Sequence, residues 1–346
     1  MPGSPPRPPS AAFWSHHLES PSFRHRLRPV AEELERRGWS VRLVELARGG
    51  YAERLAHSIR ELPGTDLLVL AKIKLWPGEG LLLRRQAARL ALDFDDAIYL
   101  RQPKRLGHRP SRDPIRRLRF HGTCAACDLV TAGNPRLAEV AGRRGRRVEV
   151  VPTTPPDDPV AEAALAGERP PATLVWIGLD RNLLYLEPLR PVLARLAARH
   201  PDLRLRIVSD VWPDWPEVPV ERVAWSREAE GPALRGATLG LSPLADDPWT
   251  RGKCGFRLLQ YMAAGLPAVA SPVGTHLKAV VDGTTGLLAR SPEEWEGAVE
   301  RLLADPALRR RMGRAALDHQ RRRFGRAAAV AAHVAHYEAL FHRSAG

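Results

Sequence analysis

The residues best suited to chemistry surround Lys253, immediately before a predicted helix. Arg251 and Lys253 are basic, and Gly252 and Gly255 would let the backbone approach a ligand closely. From Phe256 to Ala264 apolar residues recur at helical spacing, which predicts a helix packed on a sheet. A helix amino terminus carries free N–H groups and partial positive charge, and neighbouring cations strengthen that field. The segment therefore predicts a site for an anion of about the size of a phosphate.

The residues after this helix predict a strand that ends at the same site. Gly265 and Pro267 are typical of a helix end, and the apolar run Ala268–Ser271 is typical of a buried parallel strand. Gly274 follows the strand. Open α/β sheets bind ligands at the carboxyl ends of their strands. Gly274 is therefore expected beside the anion.

The complete run from Lys253 to Gly274, KCGFRLLQYMAAGLPAVASPVG, resembles the signature of glycosyltransferase family 4. Three further stretches are similar to segments of that family: DFDDA from Asp93, DLVTAGN from Asp128 and HLKAVVDGTTGLLA from His276. The resemblance implies an α/β protein of the GT-B fold. Such a protein has two Rossmann-like parallel-sheet domains facing each other across a cleft, with a C-terminal helix that returns to the N-terminal domain.

The same resemblance implies an enzyme that moves a sugar from a nucleotide-diphosphate sugar to an acceptor with retention. The acceptor would be a glycan, a lipid-linked molecule or another compound. Lys253 and Arg257 would be catalytic, because they would stabilise the charge that develops on the departing diphosphate. The implied donor-binding residues are Gly178, Arg181, Lys253, Arg257, Gln260 and Gly274. The alternative interpretation of Lys253 and Arg257 is that of ordinary surface cations at the start of a helix.

The sequence departs from the family pattern at three positions. The two glutamates of the usual pair fall on Gly252 and Gln260, and the usual arginine after the first strand of the second domain falls on Leu179. Gln260 can still bond a ribose hydroxyl, and Asp246 or Asp247 could contact the sugar. The alternative of a degenerate or non-catalytic protein that binds an anionic glycan, lipid or nucleotide therefore stays open. An epimerase of the same fold would need carboxylates that the helix lacks.

Three carboxylates cluster where a predicted strand ends, at Asp93, Asp95 and Asp96. They could bind a metal ion, cap a helix and make structural hydrogen bonds, or line the cleft and contact sugar or acceptor hydroxyls. The resemblance favours the last role, with Asp95 and Asp96 as catalytic residues, and implies neither a metal ion nor another cofactor. Near the start of the chain, Arg24 and Arg26 open a predicted helix. They are interpreted either as acceptor-side cations or as a solvated first turn.

Domain boundaries follow from composition. Residues 1–12 are proline-rich and predict a disordered tail, and residues 156–171, rich in Pro, Asp and Ala, predict a linker. The N-terminal, acceptor-side domain would then comprise residues 13–155 together with the returning helix 326–346. The C-terminal donor domain would comprise residues 172–325.

The composition indicates which binding partners and which location in the cell to expect. Lysine and arginine (53) exceed aspartate and glutamate (39), giving a formal charge of +14, which favours an anionic partner. Contact with an anionic membrane is one option. Nucleic acid is not expected, because basic residues are not interleaved with exposed aromatic residues. Three cysteines cannot form a disulfide framework, and no apolar run reaches the roughly 18 residues that span a bilayer. The expected location is the cytoplasm, with a peripheral position at the inner membrane face left open.

Overall fold

The computed structural model describes residues 7–46, 51–107, 113–144, 147–158, 160–167 and 172–342, with the backbone alone at 51–53, 58, 164 and 166. The strands are β1 (Ser10–Ser15), β2 (Ser40–Glu45), β3 (Thr65–Ala71), β4 (Ala87–Phe94), β5 (Leu129–Ala132), β6 (Val148–Val150), β7 (Thr173–Ile177), β8 (Arg204–Ser209), β9 (Val220–Ala224), β10 (Leu239–Ser242), β11 (Ala268–Ala270) and β12 (Leu287–Leu288). The α-helices are α1 (Arg28–Arg36), α2 (Tyr51–Glu61), α3 (Glu79–Gln86), α4 (Pro114–Ala126), α5 (Pro135–Gly142), α6 (Ala161–Ala166), α7 (Arg190–Arg199), α8 (Arg227–Arg235), α9 (Phe256–Ala263), α10 (His276–Ala279), α11 (Pro292–Ala304), α12 (Pro306–Phe324) and α13 (Arg326–Glu338).

The described residues divide into two compact units. The first contains residues 7–101, 113–153 and 327–342 with their gaps, and the second contains residues 102–107 and 154–326 with theirs. Each unit holds one six-stranded sheet, and every recorded strand pair is parallel. Among the described residues no helix is both long and apolar enough to cross a bilayer.

The first unit is built on a sheet with strand order β2-β1-β3-β4-β5-β6. Apolar runs such as DLLVLA in β3 bury side chains on both faces, as parallel strands covered by helices require. Helix α13 also belongs to this unit. Its Tyr337 ring packs edge-on against Phe13 at 6.4 Å, and Val334 lies in the same apolar cluster. The predicted return of the last helix to the N-terminal domain is therefore confirmed.

The second unit is built on a sheet with strand order β12-β11-β10-β7-β8-β9. Helix α9 lies directly on this sheet, where the Tyr261 hydroxyl donates to the Leu241 carbonyl at 3.1 Å and accepts from the Ile177 N–H at 3.2 Å. A Cβ at Gly240 would lie 2.4 Å from the Tyr261 ring, so only glycine lets the helix approach this closely. The predicted class, two Rossmann-like parallel sheets, is confirmed.

Two predicted boundaries differ from the structure. The predicted tail 1–12 is wrong at its end, because Ser10–Ser15 form β1 and the Ser10 N–H donates to the Asp66 carboxylate at 2.8 Å. Sequence composition missed this because strand pairing, and not the local residues, orders the segment. The predicted linker 156–171 contains α6, whose Glu162 pairs with Arg321 at 2.6 Å on α12. Residues 1–6, 159 and 168–171 lie outside the described residues.

Candidate functional site

The amino end of α9 is open to an anion. Gly255 is the N-cap residue in the left-handed conformation (φ 68°), and no side chain caps the first turn. The first turn of a helix carries partial positive charge, which favours a bound anion there. Gly274 also has a positive φ of 56°, and a Cβ there would lie 3.0 Å from the Arg251 carbonyl oxygen. Thr275 holds the same loop by donating to the Lys253 carbonyl at 2.8 Å.

Arg257 is a partly buried cation in the first turn of α9. Its guanidinium lies over the Trp176 ring, 4.5 Å from the centroid, and its Nε donates to the Ile177 carbonyl. Among the residues that the structure describes, no carboxylate forms an ion pair with it. Burial lowers the pKa of Arg257, because removal from water disfavours the charged form. An incoming anion would compensate this charge.

Gly178, predicted as a donor-binding residue, lies against Arg257, and its own N–H is already paired. That N–H donates to the Val208 carbonyl at 3.1 Å within the sheet. A Cβ at Gly178 would lie 2.5 Å from Nη2 of Arg257 and 2.8 Å from the Trp176 ring. The glycine therefore provides the space that the stacked guanidinium occupies. The Val208 carbonyl uses the N–H of Gly178, and a contact between Gly178 and the donor stays a prediction.

Lys253 lies between two side chains from the turn after β7. Its Nζ donates to Asn182 Oδ1 at 3.2 Å and lies 5.7 Å from the centroid of the Tyr185 ring. Asn182 was not predicted as a site residue, although it is adjacent to Arg181, which was. The structure exposes Arg181 to solvent, and its neighbour makes the contact with Lys253. The one-residue difference arises because Asp180–Tyr185 form a 3-10 turn.

The two aspartates proposed for sugar contact have other partners. Asp247 Oδ1 accepts from the N–H groups of Trp249 (2.7 Å) and Thr250 (2.9 Å), so it holds the turn before Arg251. Asp246 forms a two-point ion pair with Arg251, at 2.6 and 3.0 Å. Arg251 is therefore neutralised, and the unpaired charge of this segment lies further on, at Arg257.

A carboxylate from another helix lies beside Gln260. The Gln260 amide donates to Glu230 Oε1, and the Trp225 indole N–H donates to Glu230 Oε2 at 3.0 Å. Glu230 lies on α8, and Trp225 follows β9 with 40% of its surface exposed. The sequence analysis identified Gln260 as the position of a glutamate in the usual family pattern, but it did not identify Glu230. Only the position of α8 against α9 brings the carboxylate to this place.

His276 is a buried histidine at the start of α10, below the same loops. Its Nδ1 lies 2.9 Å from the Ser271 carbonyl, and its Nε2 lies 3.3 Å from the Ser242 hydroxyl. Burial, together with the nearby Arg257 and Lys253, lowers the pKa of His276 to about 4. The ring is therefore neutral at ordinary pH and connects the carboxyl ends of β10 and β11.

In the first unit, Asp95 and Asp96 hold an ammonium group. Lys72 Nζ lies 2.5 Å from Asp95 Oδ1 and 2.6 Å from Asp96 Oδ2. Lys72 has a positive φ of 57°, which is a strained conformation for a residue with a side chain. Burial alone would lower the pKa of Lys72, but the two carboxylates raise it above its ordinary value. Among the described residues no three metal-ligand side chains are grouped.

Arg26, predicted on the acceptor side, is instead a buried structural cation. Its side chain is 1% exposed, and it donates to both oxygens of Asp93, at 2.9 and 2.7 Å. It also donates to the Val151 carbonyl at 2.6 Å. The prediction for Arg26 is wrong because the third carboxylate of the cluster, Asp93, points into the unit and needs a buried partner. Arg24 is half-buried, and its guanidinium lies 3.0 Å from the His25 ring.

Comparison with known proteins shows which protein sequences this chain resembles. Residues 187–336 match a family model described as "Glycosyl transferase-like". A D-inositol 3-phosphate glycosyltransferase of Corynebacterium aurimucosum is 35% identical over 140 residues, which are 36% of this chain and 33% of that protein. A protein of the same name from Segniliparus rotundus is 26% identical over 231 residues, 60% of this chain and 51% of that protein. The chain thus spans between a third and a half of these two relatives.

Solved structures extend the similarity to the complete fold. Sucrose-phosphate synthase from Thermosynechococcus elongatus matches with a TM-score of 0.73 at 18% identity, covering 97% of this chain and 100% of that one. Anabaena HepE in complex with UDP matches with a TM-score of 0.64 at 12% identity, covering 96% and 100%. Family model, curated relatives and fold agree with the resemblance found in the sequence. The chain has the GT-B fold, and its residues 187–336 are similar to glycosyltransferases.

Proposed function

We propose that the protein transfers a sugar, with retention, from a nucleotide-diphosphate sugar to a glycan, a lipid-linked molecule or another acceptor. One observation carries the proposal. The partly buried guanidinium of Arg257 has no carboxylate in an ion pair with it among the described residues, and it lies in the uncapped first turn of α9. A diphosphate would supply the missing negative charge. UDP-sugars are the first donors to test, because HepE was solved with UDP.

Catalysis would be electrostatic. When the glycosidic bond breaks, the departing nucleoside diphosphate gains negative charge, so fixed cations stabilise the transition state more than the ground state. Arg257 is held in place by the Trp176 ring and the Ile177 carbonyl, and Lys253 by Asn182. Both can therefore act without rearranging. As proposed, the reaction uses no metal ion, since these side chains and the α9 terminus supply the positive charge.

Glu230 and Gln260 are proposed as the ribose site. A vicinal diol can donate to a carboxylate, and Glu230 offers one that is oriented by Gln260 and Trp225. This arrangement would replace the second glutamate of the usual family pair with a carboxylate from α8. The exposed Trp225 ring beside it offers an apolar surface for a base.

The test is donor hydrolysis with UDP-, GDP-, ADP- and TDP-sugars, measured as released nucleotide. Arg257→Gln should lower turnover about 100-fold or more while the protein stays folded by circular dichroism, and Arg257→Lys should recover part of the loss. Lys278→Gln, an exposed cation on α10, is the matched control and should change nothing. If no donor is cleaved but a nucleotide or glycan binds, the non-catalytic alternative is correct. Full turnover by Arg257→Gln would remove that residue from its role.

A further inference from the structure

Three basic side chains of the first unit lie together beyond the carboxyl end of β3. Lys74 follows that strand, and Arg116 and Arg119 lie one turn apart on α4. Arg119 donates to the Lys74 carbonyl, and its guanidinium lies over the Trp76 ring, 4.2 Å from the centroid. Arg116 donates to the Ile98 carbonyl at 3.3 Å. Backbone acceptors and an aromatic face thus hold both arginines, and neither of these carries a compensating charge.

Three other cations of the first unit are matched by carboxylates. The ion pairs are Lys72 with Asp95 and Asp96, Arg54 with Glu79, and Arg101 with Asp113. Lys74 and Arg119 form no ion pair with any residue that the structure describes. Arg116 has only Asp113, at 4.0 Å, and that carboxylate already binds Arg101 and caps α4. The group of Lys74, Arg116 and Arg119, here called the α4 cation cluster, therefore carries excess positive charge.

Two further observations indicate that these positive charges destabilise the first unit when no anion is bound to them. The Nε–H groups of Arg116 and Arg119 are buried and have no hydrogen-bond acceptor among the described residues. Buried donors without a partner are rare in folded proteins and commonly mark a bound water or ion. Burial, together with repulsion from Arg116, Arg119 and Lys72, lowers the pKa of Lys74 to about 8. An anion would remove the repulsion and satisfy unused donors.

We propose that the α4 cation cluster binds a phosphate group carried by the acceptor. Two guanidinium forks and an ammonium group can surround the oxygens of a phosphate and neutralise its charge. This inference rests on the proposed function, to which it adds the chemical class of the second substrate. The phosphate belongs either to a soluble phosphate ester or to a lipid headgroup, and the recognising chemistry is the same.

The five lysines of the chain allow a site-resolved test. They are Lys72, Lys74, Lys104, Lys253 and Lys278. Dimethylation with ¹³C-formaldehyde keeps their charge and gives each an NMR signal, assigned by Lys→Arg variants. Inorganic phosphate, and then glucose 1-phosphate, are titrated into protein whose donor site is saturated with UDP. The expected result is a shift of the Lys74 signal and a rise in its pKa by about one unit or more, with Lys104 and Lys278 unchanged.

Matched variants test which arginines bind the phosphate. Arg116→Gln should weaken phosphate binding about tenfold, as should Arg119→Gln. Arg117→Gln removes the same charge from the adjacent position on α4, beside His121, and should have little effect. Vesicles of phosphatidylcholine with and without phosphatidic acid distinguish the sources. A Lys74 response to the acidic vesicles alone assigns a lipid phosphate, and a response to the soluble esters assigns a soluble acceptor.

The inference fails if the Lys74 signal does not respond to either phosphate source, or if Arg117→Gln weakens binding as much as Arg116→Gln. Failure of the proposed function is a separate result. In that case Lys253 does not respond to UDP and no donor is hydrolysed, whatever happens at Lys74. The two signals therefore report on the two sites independently.

Discussion

Removal of Arg26 should destabilise the first unit strongly, because it would leave a carboxylate buried without its main partner. Arg26 makes two hydrogen bonds to Asp93 and two more, to the Val151 carbonyl (2.6 Å) and the Thr153 hydroxyl (3.1 Å). In the variant Arg26→Met, the side-chain partners that Asp93 would keep among the described residues are Thr131, at 2.6 Å, and His333, at 3.1 Å. Both Arg26 and Asp93 are almost fully buried, so water cannot replace the lost bonds.

The size of the effect follows from the cost of an unpaired buried charge. Breaking a buried ion pair by removing one partner costs about 3–5 kcal/mol. That is a large part of the roughly 5–15 kcal/mol that stabilises a typical folded domain. Burial alone would raise the pKa of Asp93, but Arg26 and His333 hold it well below its ordinary value, so the carboxylate is charged in the folded protein. Without Arg26 the carboxylate would take up a proton, which limits the loss to the lower part of the range.

Hydrogen exchange followed by mass spectrometry is the appropriate assay, because a chain with two units need not unfold in one step. Peptides from β4 and α13 should exchange faster in Arg26→Met, because Asp93 and His333 join these two elements. The double variant Arg26→Met/Asp93→Leu removes both charges and should recover most of the lost protection. UDP affinity should stay unchanged, because Arg26 belongs to the first unit and the donor site to the second.

Two results would refute this reasoning. One is a loss of less than about 1 kcal/mol in Arg26→Met, the size of an ordinary exposed ion pair. The other is a double variant that loses as much stability as the two single variants added together, which would mean that the two side chains act independently.

Two further predictions concern the second unit. Glu230→Gln should weaken UDP binding about tenfold in calorimetry and leave binding of a UDP analogue without ribose hydroxyls unchanged, with Glu228→Gln as the control from the same helix. An equal loss for both nucleotides would contradict the ribose contact. The unfolded chain protonates His276 near pH 6.5 and the folded unit only near pH 4, so the free energy of unfolding should fall by up to roughly 3 kcal/mol as the pH decreases across that interval. His276→Gln should flatten this dependence in urea titrations, whereas replacement of the exposed His342 should not.

Local sequence patterns were sufficient for the class of fold and for the central element of the donor site. The apolar spacing of α9, the glycines on either side of it and the apolar strand after it are all local features, and all appear in the structure. The apolar face of α13 could also be predicted, because helical periodicity shows which residues will be buried.

The partners of charged side chains could not be predicted from the sequence. Arg26 looked like a surface cation because its partner, Asp93, is 67 residues away in the chain. Glu230 looked like one more acidic residue, and it lies beside Gln260 only because α8 packs next to α9. Spacing along the chain specifies neighbours within one helix or strand, but charge pairing depends on contacts between elements that the sheet order brings together.

The sequence by itself determined the elements and the parallel sheets, and it predicted an anion site at the start of α9. Only the tertiary structure decided which cations are neutralised and which remain for a ligand. Arg26 and Arg251 are paired with carboxylates, whereas Arg257, Lys74 and Arg119 form no ion pair among the described residues and Arg116 has only Asp113, at 4.0 Å. The physical reason is that the free energy of a buried charge depends on the groups within a few ångströms of it, and folding sets those distances.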